Sequence, residues 1–166
     1  AAILRKDVPV VIRNMKDYIK LQDAWLLSFY SFHTPRLINS VTIGKGRNRL
    51  IKKGKTYVII LNNHKTAKTQ GQIKIKLDKK LNEITDKLIK SRMPVMNHHN
   101  LLCAARGGSL SAVQLSKMLK RITAKVFGTG FGVQIIRVMR ANSKSKEMNK
   151  VREYLDEMGH NLKTEK

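Results

Sequence analysis

The chain of 166 residues sets 34 Lys and Arg against 11 Asp and Glu, a formal net charge of +23, with only 42% hydrophobic residues. One domain of this length buries a core able to hold itself together. The lone Cys103 excludes a disulfide framework or a cysteine-built zinc site, and Lys or Arg interrupts every apolar stretch before it reaches membrane-spanning length. Such dense positive charge repels itself in the compact state until phosphates neutralise it, so a polyanion is expected, nucleic acid first. An anionic membrane surface is the competitor, but it needs a helix with basic and aromatic faces, and the single Trp25 sits where charge is sparse. Ala at residue 1, with no signal-type segment, reads as an internal piece of a longer chain.

Apolar residues at Val10, Val11, Met15, Ile19, Trp25, Leu26, Leu27 and Phe29 give residues 7–32 a helical period that Gln22–Asp23 interrupts, predicting two helices. Thr34–Pro35 stops the second and opens a short helix with Arg36 in its first turn. A short strand follows at residues 41–43. Residues 45–55 hold Lys45, Arg47, Arg49, Lys52, Lys53 and Lys55 among glycines with no acid, and are predicted as a basic loop. Residues 57–61 (YVIIL) and 72–77 (QIKIKL) read as a hairpin that places Lys74 and Lys76 on one face. Asp78 caps a helix predicted to run to about Ser91, and residues 93–100 form a loop. After the turn at residues 106–108, Ser109 or Ser111 caps a helix to Phe127, with Leu110, Leu115, Met118, Leu119, Ile122 and Val126 facing the core. Gly128, Gly130 and Gly132 break it; a further helix spans residues 133–140, and a last one, capped by Ser143 or Ser145, ends at Gly159. The expected class is α+β, mostly α-helical with a small antiparallel sheet, in a single domain over residues 1–166.

Arg36, Lys68 in the hairpin tip, Arg137 in a helix and His160 after Gly159 succeed one another from four different elements. That order resembles the catalytic domain of the tyrosine recombinase (phage integrase) family. The family's His-x-x-Arg box is matched by Gln134-Ile135-Ile136-Arg137, and 23 residues after Arg137 comes Met158-Gly159-His160-Asn161, similar to the family's Leu-Gly-His-Ser segment at its usual spacing. Residues 106–111 (RGGSLS) resemble the segment that opens the helix before the box, and residues 68–77 (KTQGQIKIKL) resemble the strand pair carrying a catalytic Lys. Residues 34–40 (TPRLINS) resemble the Thr-Pro-Arg variant of eukaryotic mobile elements and large DNA viruses, with Asn39 where Glu is common. The resemblance covers residues 20–166 and implies the tyrosine recombinase catalytic-domain fold.

The resemblance implies a reaction in which a tyrosine oxygen attacks a backbone phosphate of DNA, expels a sugar hydroxyl and leaves a 3′-phosphotyrosine that another hydroxyl reverses, with no metal or cofactor. Arg36 and Arg137 would clamp the non-bridging oxygens with planar forks that Lys cannot copy. Lys68 would protonate the leaving hydroxyl, with Lys65 as its substitute at the tip, and His160 would donate to a non-bridging oxygen or help position the nucleophile. Gln134 completes the catalytic set by hydrogen bonding, although unlike His it cannot carry a proton. Lys45, Arg47, Arg49, Lys52, Lys53, Lys55 and Lys65 are the expected DNA contacts. The partners implied are double-stranded DNA and further copies in a synaptic tetramer on it, with no membrane and an intracellular location with the DNA. Tyr154 shares an apolar helix face with Val151 and Met158 and reads as core, so the nucleophile is expected downstream of Lys166.

Each residue also has a plainer reading. Arg36 could cover a helix end, Lys68 could touch only the DNA backbone, and His160 could complement a helix terminus. Arg140 is the solvated alternative to Arg137, and His98–His99 reads as a surface pair rather than a metal site. At the level of the whole chain, the alternatives are a recombinase-like structural DNA-binding protein without catalysis and a basic RNA-binding protein. For the latter, only four Phe and four Tyr are available to stack on bases.

Overall fold

The computed structural model describes residues 4, 6–35, 38–62 and 71–141. Helix α1 (Met15–Tyr30) starts at Asn14, whose side chain accepts the Asp17 amide, and runs without a break through Gln22 and Asp23. The expected division into two helices is therefore corrected: every residue from Leu21 to Tyr30 is buried, polar ones included. Tyr18, Gln22, Asp23 and Trp25 each find a partner far away in the sequence. The Gln22 amide brackets the Cys103 backbone, donating to its carbonyl at 2.8 Å and accepting from its N–H at 3.0 Å. Both Asp23 oxygens accept from Arg121, at 2.7 and 2.9 Å. Trp25 Nε1 donates to Thr85 at 2.7 Å, and the Tyr18 hydroxyl to the Leu88 carbonyl. A helix buried all round must satisfy its polar groups internally, so α1 is the axis on which the rest is hung.

After a 3-10 turn at Ile38–Ser40 come strands β1 (Thr42–Ile43), β2 (Asn48–Lys53), β3 (Thr56–Leu61) and β4 (Ile73–Lys76), ordered β1-β2-β3-β4 in one sheet. The expected hairpin is β3–β4, paired antiparallel with Ile59 opposite Ile75. The segment expected as a basic loop is instead largely strand: β2 pairs antiparallel with β3 from Asn48↔Leu61 to Lys53↔Thr56. Its two-residue turn starts at Gly54 with φ +65° while Lys55 keeps a negative φ, the pattern of a type II′ turn whose twist suits a hairpin. β1 and β2 pair parallel, so the small sheet is mixed.

Helix α2 (Lys79–Lys90) is capped by Asp78, which accepts from the Leu81 amide at 2.8 Å, as the sequence predicts. Helix α3 (Ala112–Phe127) opens with a reciprocal box between Ser111 and Gln114 and closes at Gly128 in the left-handed conformation. Helix α4 (Val133–Ala141) follows. Thr123 on α3 takes the Phe131 amide at 2.7 Å, drawing the α3–α4 connection close. A Cβ at Gly130 would sit 2.8 Å from the Lys120 carbonyl oxygen, so only glycine fits there. The resulting domain is α+β, with α1 in contact with both α2 and α3 and the sheet packed on α2 through β3.

Candidate functional site

Arg137 lies on the inward side of α4 beside Val133 and Ile136, which pack against the core. Its Nε–H donates to the Thr34 carbonyl at 3.1 Å. The Tyr30 hydroxyl, from the last turn of α1, donates to the neighbouring Pro35 carbonyl at 3.2 Å. One long-range contact and one local contact thus fix the dipeptide immediately before Arg36. Arg137 is close enough to Tyr30 to oppose, through its charge, the strong upward push that burial gives the phenol.

Beyond Arg36 the chain is fixed again. Asn39 donates to the Leu110 carbonyl at 3.3 Å, while its Oδ1 is buried with no hydrogen-bond partner among the described residues. Ser40 accepts from Asn48 at 2.7 Å, and the same Asn48 side chain accepts from the Asn62 amide at 3.0 Å. The start of β2, the end of β3, the first helical turn of the 38–40 segment and the approach to α3 therefore converge around residues 34–40. Arg36 itself, together with Lys65, Lys68 and His160, lies outside the described residues. Of the expected catalytic set, the structure places Arg137 against the Thr34–Pro35 segment, and Gln134 exposed one turn earlier on α4. Ile135 and Val138 on the same helix are 47% and 49% exposed.

Tyr18, Tyr30 and Tyr57 are 0%, 5% and 6% exposed. Burial raises the phenol pKa of all three, to about 12 for Tyr57, where hydrogen bonding to Asp86 adds to the effect. None offers a tyrosinate to a large substrate. The Cys103 thiol is likewise buried, with its pKa pushed to about 11, and is inert. His98 is a clasp: one ring nitrogen meets the Gly107 carbonyl at 2.9 Å and the other accepts the Asn100 amide, while Arg92 holds the His98 and Asn100 carbonyls. No group of three or more potential metal ligands occurs among the described residues.

The basic stretch divides by strand register. Arg49, Ile51 and Lys53 share the sheet face turned away from α2, opposite Ile60, Val58 and Thr56 respectively. Lys52 points the other way. Its amine lies 5.3 Å over the Tyr57 ring and 3.5 Å from Asp86, which also accepts from Lys90 at 2.6 Å and Tyr57 at 2.7 Å. The Lys90 and Tyr57 hydrogen bonds, in that order, hold the Asp86 carboxyl down at about 2. Lys45, Arg47 and Lys55 are exposed in the turns at either end of β2.

The sequence does not by itself reveal the role of Tyr30 at Pro35, and Asn39 stands out in it only as a departure from the usual Glu. An aromatic residue in the last helical turn before Thr-Pro was a usable cue for the first; the orphan oxygen of the second is visible only in three dimensions.

No protein-family model and no curated protein matches the chain. Its structure is similar to that of the XerH site-specific recombinase in a pre-cleavage complex with difH substrate, with a TM-score of 0.53 at 16% identity over 93% of this chain and 46% of that one. The post-cleavage XerH complex with palindromic difH substrate gives a TM-score of 0.54 at 15% identity, over 97% of this chain and 49% of that one. The chain thus spans about half the length of the recombinase chains it resembles. At this identity the likeness is one of fold, and the fold is that of a tyrosine recombinase catalytic domain.

Proposed function

We propose that the chain is the catalytic domain of a site-specific DNA recombinase or integrase that cuts and rejoins DNA through a 3′-phosphotyrosine. The observation that carries this reading is the Arg137–Thr34 contact, which brings the helical box Arg to the segment leading into Arg36, 103 positions away in sequence. In the proposed step a tyrosine hydroxyl releases its proton to solvent and its oxygen bonds to the scissile phosphorus as the bond to the 5′ oxygen breaks. The departing oxygen takes a proton from Lys68, and a different 5′-hydroxyl later reverses the exchange. Arg36 and Arg137 would meet the charge that grows on the non-bridging oxygens, and His160 and Gln134 would add hydrogen bonds. Duplex DNA is the partner in this reading, supported by the +23 charge and by the substrate-bound state of the similar recombinases. The reading places the nucleophilic tyrosine downstream of Lys166, since Tyr18, Tyr30 and Tyr57 are buried, and Tyr154, outside the described residues, is spaced with Val151 and Met158 as a core residue. Assembly of several copies on DNA belongs to the same proposal.

The test uses the protein extended C-terminally through that tyrosine. Arg137→Ala should slow covalent attachment to ordinary DNA by roughly a hundredfold or more, the usual cost of losing a donor aimed at developing charge, while duplex binding changes little. On DNA whose scissile phosphate has one non-bridging oxygen replaced by a methyl group, little charge remains to clamp, and most of that loss should disappear. Equal loss on both substrates would show that Arg137 does not serve the phosphate.

A further inference from the structure

The sheet face turned away from α2 is set by register. Arg49 and Lys74 flank Ile60 on the two sides of β3, Ile51 and Lys76 flank Val58, and Lys53 stands opposite Thr56. Val58 and Ile60 are only 9% and 3% exposed. They form an apolar floor along which the aliphatic stems of Arg49, Lys74 and Lys76 can lie with their charges at the rim. No acid occurs in β2, β3 or β4. Among the described residues Lys53, Lys74 and Lys76 form no ion pair, in contrast to Lys52, whose amine on the other face is held by Asp86.

We propose that this face is a second grip on DNA, built by Arg49, Lys53, Lys74 and Lys76 to seat the sugar–phosphate backbone of a duplex without reading its sequence. The inference rests on the DNA-binding reading above and adds Lys74 and Lys76 to the contacts while removing Lys52. Charge complementarity selects the occupant. Lys74 and Lys76 are two residues apart on one strand, roughly 6.7 Å, and Arg49 and Lys74 are two strand spacings apart, roughly 9.6 Å. Like charges so close on one face work against the sheet, and a row of phosphates removes that repulsion. The face carries no aromatic side chain on which a base could stack, nor one to wedge into a bilayer, which favours a duplex backbone over single strands or lipid.

The experiment is equilibrium binding of the 166-residue chain to fluorescent duplexes of unrelated sequence between 50 and 200 mM salt. Wild-type binding should weaken steeply with salt. In Lys74→Ala/Lys76→Ala the slope of log affinity against log salt should fall by about 1.8, since each lost phosphate contact removes about 0.9, and equally for every sequence. Lys16→Ala/Lys117→Ala, exposed lysines on α1 and α3, should leave the slope nearly unchanged. A slope equal to wild type in the Lys74/Lys76 variant, or an equal drop in the control, would overturn the assignment while leaving DNA binding intact. Failure of the wild type to bind duplex would instead remove the underlying reading. Loss of binding to phosphatidylserine vesicles with duplex binding unchanged would identify a membrane surface and overturn the proposal.

Discussion

At the scale of single residues, the site depends on backbone carbonyls as much as on charged side chains. Arg137 is anchored through Nε to the Thr34 carbonyl, and that anchor restrains the plane of its guanidinium. Tyr30 does the companion work at Pro35 through its buried hydroxyl. Tyr30→Phe should therefore lower stability by about 1 kcal/mol, the usual worth of one hydrogen bond, as read from urea unfolding. A variant as stable as wild type would mean that the 34–35 segment does not lean on this hydroxyl. Arg137 stands out in the sequence through the spacing of residues 134–137 to Gly159–His160. The roles of Tyr30 and Asn39 do not, since each acts on a backbone group that composition and spacing do not reveal.

At the scale of elements, the unbroken α1 shows where sequence periodicity misleads. Gln22 and Asp23 look like a break because their partners, Cys103 and Arg121, are 81 and 98 positions away. The Asp23–Arg121 pair is also lopsided: the Asp23 side chain is 11% exposed, whereas the Arg121 side chain is 51% exposed. Burial raises the Asp23 pKa despite the opposing hydrogen bonds and charge of Arg121. Arg121→Leu leaves a buried carboxylate alone and should cost about 2 kcal/mol, more than Asp23→Asn, which leaves an Arg that can reach water. The pH dependence has a definite sign. A carboxyl whose folded pKa is raised penalises folding above that pKa, so Arg121→Leu should regain stability as the pH falls through the raised value toward about 4. Thermal melts across that range check both claims, and a pH-independent deficit would contradict them. The basic stretch was misread for a related reason. Its glycines and lysines suggest a loop, while the inside–outside alternation of Lys52 and Lys53 becomes visible only once Asp86 on α2 is seen to hold Lys52.

At the scale of the whole molecule, helix caps and hairpin signals specified most of the fold, because those signals are local: Asp78, Ser111 and Gly128 each sit where the chain uses them. What the sequence left open was assembly, namely which face of the sheet is outward and how the α3–α4 connection delivers Arg137 to Thr34. The domain that results has the recombinase fold and a large uncompensated positive charge. The central claim is that this assembly transfers DNA strands. The most direct measurement is denaturing electrophoresis of the C-terminally extended protein after incubation with a duplex carrying its target site. The account predicts a protein–DNA adduct that survives denaturant, joined through a tyrosine to a 3′-phosphate and leaving a free 5′-hydroxyl on the cut strand. Tight, salt-sensitive binding with no adduct and no cut strand would contradict it and leave a structural DNA-binding protein with a recombinase fold.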